Sequence, residues 1–227
     1  MSYSLTTLEG ICAALLSDSG NATWSTLVLD QWINLAINDL SIHFPMVVDY
    51  EINGLGATHF YDLSPNIKGI ISVEYPVGED PPRFLERKSY SEPEFSYLPG
   101  YYDFLKTNSS YSGSPPQLAV SDDLSAIDVV MVRAVSDHSP LLEGSDECTI
   151  LDRHVQLIPL FVRWKAFSER SSYEMRDPSP LNSIQSSFEL NTQRAELAYT
   201  SALAKAIEAE GDSAISSWKM DGYDRIY

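Results

Sequence analysis

The segment STLVLDQWINLAINDLSIHFPMVVDYEI, residues 25–52, contains the change of period that decides the fold. Up to Phe44 the apolar residues recur at helical spacing: Leu29, Ile33, Ala36, Ile37, Leu40 and Phe44 share a face, with Asp30, Asn34, Asn38 and Ser41 towards the other. Ser25 is a residue type that caps a helix N-terminus. Pro45 stops the helix, because proline has no N–H for the ladder and its ring clashes with the preceding turn. Beyond it the period drops to two, and Met46–Ile52 reads as a strand.

Working outward, Leu5, Leu8, Cys12, Leu15 and Leu16 predict a first helix, ended by the polar cluster Ser17–Asn21. Met46–Ile52 and Ala57–Leu63 predict a hairpin around Asn53-Gly54-Leu55-Gly56, and Ile67–Tyr75 a β-branched strand. Gln117–Ser121 and Ala126–Val135 predict a second hairpin over Asp122-Asp123; the latter strand is nearly all apolar and should be central. Residues 87–116, rich in Tyr, Ser, Pro and Gly, predict no regular element but a contact loop carrying Tyr90, Tyr97, Tyr101, Tyr102 and Tyr111.

The last third returns to helix. Asp152–Tyr173 keeps Val155, Ile158, Phe161, Val162 and Phe167 on a face, and Pro159 either kinks it or marks a late start. After Pro178 and Pro180, Ile184–Ala209 is an Ala-rich helix closed by Gly211, about 39 Å long at 1.5 Å per residue. The expected class is therefore α+β: an antiparallel helical bundle, built from an N-terminal helix pair and two C-terminal helices, with an inserted antiparallel β region and a C-terminal extension. The domains read as 1–45 and 149–211 for the bundle, 46–148 for the β-rich insertion with its Tyr-rich loop, and 212–227 for a tail. That tail concentrates Trp218, Tyr223, Ile226 and Tyr227 beside Arg225, poor material for a solvated end. It either packs back on its own domain or docks on a partner through aromatic anchors.

Charge narrows the function. The 227 residues carry 32 Asp and Glu against 15 Lys and Arg, a net of -17, yet 44% are apolar, enough for a core. Residues 1–82 hold ten acids and one base, Lys68; residues 83–150 hold eleven and five; residues 151–227 hold eleven and nine. The front two-thirds thus presents one sign and the end is nearly balanced, as a surface touching other protein would be. General nucleic-acid binding is excluded, since it needs clustered bases to neutralise phosphates. No run approaches the length of a membrane span, and no secretion signal is expected.

Catalytic and metal constellations are not found. His43, His59, His138 and His154 lack metal-ligand spacing, and Cys12 and Cys148 read as free thiols rather than a bridge. Gly54-Leu55-Gly56-Ala57-Thr58-His59 lacks the last glycine of a dinucleotide loop and leads into a strand. The acid pairs Asp122/Asp123 and Asp146/Glu147 are what a chain so rich in carboxylates contains by composition. No catalytic, cofactor or metal residue is assigned.

A short helix ends at Asp18, and Trp24 precedes a helix bearing Ile33-Asn34-Leu35-Ala36 with Leu40 and Phe44-Pro45; then come Leu63-Ser64-Pro65 and Ile70-Ile71-Ser72-Val73. Ala195, Tyr199, Ala202 and Leu203 sit on a long helix near the end. This order of features resembles the head-to-tail connector (adaptor) proteins of tailed bacteriophages, and the long helix is like that family's closing helix. The resemblance spans about 120 residues in two blocks and does not extend to the Tyr-rich segment or the Asp122-Asp123 hairpin. It implies a structural virion protein rather than an enzyme, made in the host cytoplasm and located in the neck between capsid and tail. There it would form a ring of about twelve copies on the portal protein, as cyclic symmetry demands. DNA would pass through without specific binding during genome ejection, and no cofactor or membrane is involved. The resemblance implies that Trp218, Tyr223, Arg225, Ile226 and Tyr227 dock on the portal. It also implies that the inserted region, with Tyr90, Tyr97, Tyr101, Tyr102 and Tyr111, faces tail or neck proteins. The alternatives are another neck component (a head-completion stopper or tail terminator), an acidic hydrolase, or a DNA-mimicking interaction protein.

Overall fold

The computed structural model describes residues 3–18, 20, 22–56, 58–106, 115–174 and 182–214. The chain packs as two units, residues 1–44 with 139–227, and residues 45–138. The first is helical: α1 (Leu5–Leu15), α2 (Thr26–His43), α4 (Asp152–Val155), α5 (Leu157–Glu174) and α6 (Asn182–Ala214). The second holds β1 (Met46–Asn53), β2 (Phe60–Asp62), β3 (Ile67–Glu74), β4 (Glu86–Arg87), α3 (Pro93–Tyr97), β5 (Tyr101–Leu105), β6 (Gln117–Val120) and β7 (Val129–Ser136). This is the α+β arrangement expected: an N-terminal helix pair, antiparallel sheets in the middle, and two C-terminal helices packed on each other. Among the described residues no helix is long and apolar enough to cross a membrane.

In the helical unit α5 lies against α1, α2 and α6. Leu8, Leu29, Ile33, Ile37, Leu40, Leu157 and Ile158 are almost wholly buried between them. Each such side chain stabilises the unit by about 1.5–3 kcal/mol relative to exposure. Tyr199 of α6 is buried too, edge-on to Phe161 and stacked beside Trp164, and its hydroxyl donates to Asp39 Oδ2 on α2. Ser25 holds the N-cap position of α2 without a side-chain cap bond. Upstream, Asp18 ties the α1–α2 turn by accepting the N–H groups of Ala22, Thr23 and Trp24. Pro159 falls in the first turn of α5, so the late start is the alternative realised. The last helix does not end at Gly211 but runs to Ala214. At 1.5 Å per residue its 33 residues span about 50 Å.

Residues 139–148, placed with the β region on sequence grounds, pack with the helices. Leu141 is buried in the helical core, and Asn34 grips its backbone in both directions: Nδ2 donates to Leu141 O at 2.9 Å and Oδ1 accepts from Leu141 N at 2.7 Å.

The β unit has two sheets, β1-β7-β3 and β2-β6-β5-β4, antiparallel except for the short β4·β5 pair. Side chains from both meet in one core that includes Tyr61, Val73, Tyr102, Leu118, Val120, Val130 and Val132. The apolar strand β7 is central, as expected, but neither anticipated hairpin forms. β1 pairs with β7 rather than with 57–63, and β6 pairs with β2 and β5 rather than with β7. The reason is burial: one face of β7, with Val130, Val132 and Ala134, is fully buried while Arg133 on the other is exposed, and flanking by β1 and β3 on both edges is what covers that apolar face. The glycines after β1 serve this pairing instead of a tight turn. Gly54 donates to Asp128 O at 2.9 Å, and a Cβ there would lie 2.2 Å from Ser125 O. The segment 87–116 is also more regular than expected, since it holds α3 and β5.

Candidate functional site

Each acid pair singled out in the sequence is splayed, and its members serve the local fold or solvent. Asp122 Oδ2 accepts the N–H of Gly100 at 2.7 Å, which holds that glycine at φ 97° ahead of β5. Asp123 points into solvent, its side chain 99% exposed, 3.5 Å from His59 Nε2. In the helical unit, Asp146 Oδ2 accepts from Leu142 N at 2.7 Å and Glu143 N at 2.9 Å. The N–H groups of Glu143 and Leu142 hold its carboxyl below the usual aspartate range. A general acid needs the opposite shift.

The turn that Asp146 shapes then completes the start of α1. Leu5 donates to Asp146 O at 3.0 Å and Thr6 to Gly144 O at 3.2 Å, satisfying N–H groups that a first helical turn leaves open. Glu147 is exposed, opposite Ser4 in a single β-bridge.

Histidines and cysteines are equally dispersed. His43 is exposed at the end of α2, and His59 Nδ1 lies 3.0 Å from Val120 O. His138 is buried. His154, also buried, stacks on Phe44 at 4.0 Å, with Nε2 2.8 Å from Glu210 Oε1, which ties α4 to α6. Among the described residues no group of three or more His, Cys, Asp or Glu could hold a metal ion. Burial, with some help from the charge on Glu9, pushes the Cys12 thiol up to about 12, so it is not a thiolate at neutral pH. Cys148 is shifted in the same direction by burial.

The tyrosines grouped in the sequence take different places. Tyr102 is 4% exposed and belongs to the β-unit core. Tyr101, its neighbour along β5, is half-buried with Lys88 Nζ 4.9 Å from the ring centroid. Tyr90 lies edge-on to Phe60 and Phe95, forming a small aromatic cluster. Tyr97 ends α3 with 83% of its surface exposed. Among the described residues of this segment, the exposed tyrosine surface is Tyr97 with parts of Tyr90 and Tyr101. Tyr111 and the tail residues Trp218, Tyr223, Arg225, Ile226 and Tyr227 lie outside the described residues.

Sequence reasoning missed two surfaces on the helical unit. On α2, Leu27, Gln31, Leu35, Asn38 and Ile42 form an outward stripe without a charge, and the three apolar members are 67%, 50% and 73% exposed. It runs about 22 Å at 1.5 Å per residue. On α6, Leu190, Gln193, Leu197, Thr200, Ala204 and Ile207 make a second exposed, uncharged stripe with three-and-four spacing, about 26 Å long. The signal was present as apolar residues on the face opposite each helix's core stripe, a second period hidden beneath the stronger first. No protein-family model matches this chain, and no curated protein matches it.

Proposed function

We propose that this chain is a head-to-tail connector of a tailed phage, a structural protein that assembles as a ring below the portal and carries the next tail component. The observation that carries the reading is the pair of uncharged stripes on α2 and α6. A ring needs a heterologous contact, one face of a copy meeting a different face of the next. In a chain of net charge -17, two copies approach without strong repulsion only through surfaces free of acid. The stripes are of similar length, and the small residues Ala198, Ser201 and Ala204 exposed along α6 allow close approach of a neighbouring helix.

The acidic remainder suits the lining of a passage through which DNA slides without adhering. The helix–sheet–helix layout also favours a connector over a stopper or tail terminator, which are usually smaller and more β-dominated. The test is to express the chain with portal rings and examine the particles by electron microscopy. A ring of this protein under the portal is expected. Leu35→Glu with Ile42→Glu should abolish the ring while leaving the circular dichroism of the monomer unchanged, and deletion of 212–227 should weaken portal attachment. Monomers that bind no portal at any concentration would sink the reading.

A further inference from the structure

Among the described residues the β unit has four sheet edges, and three are protected in the ways natural sheets use. β2 and β4 are only three and two residues long. β3 has two register irregularities against β7, carries Lys68, and is covered near its end: Leu85 N–H donates to Val73 O at 2.8 Å and Tyr75 N–H to Arg83 O at 3.0 Å. The fourth edge is β1. It runs eight residues in unbroken register with β7, has neither proline nor lysine, and pairs on one side only among the described residues. Its inward side chains Val48, Tyr50 and Ile52 remain half-buried, whereas their neighbours Val130, Val132 and Ala134 on β7 are fully buried. Among the described residues no strand pairs with the far side of β1.

The outward face of β1 carries Asp49 and Glu51, and among the described residues only Asp49 has a cation near it, Arg133 Nε at 3.4 Å. The β unit around it, residues 45–138, holds fourteen Asp and Glu against six Lys and Arg. A second copy is a poor occupant. An antiparallel β1·β1 pair that matches both faces sets Asp49 against Asp49, Glu51 against Glu51, or one against the other wherever the overlap is long, and like charges directly opposite are destabilising.

We propose that the free edge of β1 is a strand-addition site for an extended segment of another protein bearing Lys or Arg at alternate positions. The main chain of that segment bonds to the unpaired edge. Its basic side chains sit beside Asp49 and Glu51, and its apolar ones continue the row of Val48, Tyr50 and Ile52. The inference stands apart from the ring reading, since it needs neither a portal nor a second copy.

The probe is the peptide acetyl-Thr-Lys-Val-Lys-Val-Lys-Thr-amide, titrated into the isotope-labelled full chain while amide resonances are followed by NMR. Perturbations confined to 46–53 and their β7 partners are expected, with affinity falling several-fold as salt is raised. In an added antiparallel strand only alternate N–H groups face the edge. N-methylation of one alternate set should therefore weaken binding at least tenfold, and methylation of the other set less than threefold. The Asp49→Asn, Glu51→Lys double variant, changed only at exposed positions, should lose the peptide and instead take one with Glu in place of Lys. Equal tolerance of both methylation patterns would mean adsorption by charge alone and would overturn the proposal. So would the absence of binding at millimolar peptide, or perturbations centred elsewhere. A concentration-dependent dimer whose contacts map to β1 would overturn it in favour of a second copy.

Discussion

Replacing Asn34 by Ala tests whether the loop at 139–148 belongs energetically to the helices. Asn34 acts like a backbone segment, pairing with both the C=O and the N–H of Leu141 at 2.9 and 2.7 Å. Leu141 itself is 3% exposed. Two hydrogen bonds of about 1 kcal/mol each are lost, and the groups left on Leu141 have little water to replace them, so the expected cost is about 2–3 kcal/mol. At 2–4 °C per kcal/mol for a chain of this size, the melting temperature falls by roughly 4–12 °C. Asn34→Asp should be no better, because a carboxylate keeps the acceptor but sets an oxygen against Leu141 O.

Tryptophan fluorescence in a urea titration is the assay. Trp24, Trp32 and Trp164 belong to the helical unit and residues 45–138 contain none, so with the fourth tryptophan, Trp218 of the tail, replaced by Phe in every variant the signal isolates the unit affected. If Asn34 works by seating Leu141, the Asn34→Ala and Leu141→Ala changes must couple by at least about 0.5 kcal/mol in a double-mutant cycle. A loss below about 0.5 kcal/mol for Asn34→Ala, the level of an ordinary surface change, or strict additivity, would refute the reasoning.

Four further outcomes are expected. Gly54→Ala drives a methyl to 2.2 Å from Ser125 O and should destabilise the β unit by about 1–3 kcal/mol, whereas Gly10→Ala, with open space around it on α1, should stabilise by about 0.5–1 kcal/mol; denaturant midpoints measure both. Tyr199→Phe removes the donor to Asp39 and should cost about 1.5 kcal/mol, read as earlier unfolding of α6 by hydrogen exchange. The N–H groups of Trp24, Thr23 and Ala22 hold the Asp18 carboxyl below the usual aspartate value of 3.8, so its contribution is complete above that value and is lost as pH falls through the lowered one. Asp18→Asn should flatten that acid limb in melting temperatures recorded against pH. Glu9 goes the other way. Burial first, then the hydrogen bond to Asp30 and its charge, raise Glu9 above 4.5, so its own contribution to stability is fully present below that value and is lost as pH climbs through the raised one. Glu9→Gln should remove that loss.

The Ile33-Asn34-Leu35-Ala36 motif shows how far the sequence could be read. Its periodicity announced a helix, and Ile33 and Ala36 are indeed buried to 0% exposure. That Asn34 holds a loop 107 residues away was not legible, because nothing near Asn34 marks its partner. Tyr102 differs from Tyr101 by one position on a strand and is sent to the opposite face; only knowing that residues 101–105 are a strand separates core from surface. Asp146 read as one acid among many and Asp122 as part of a hairpin turn that does not form. Their backbone partners make them turn and helix-start supports.

What the sequence determined by itself is what period and composition encode locally: the four principal helices, β1, β3 and β7, the stops at Ser17 and Pro45, the central place of a nearly all-apolar strand, and a one-sign charge over the front two-thirds. Tertiary structure alone decided which strands are neighbours, how far α6 runs past Gly211, and which edge of the sheet stays open. The division has a physical cause. A helix or strand is favoured by residues within a few positions of one another, whereas pairing is settled by burying the most apolar surface. For β7 that brought Met46–Asn53 and Ile67–Glu74 across more than fifty residues and left the far side of β1 without a strand partner among the described residues.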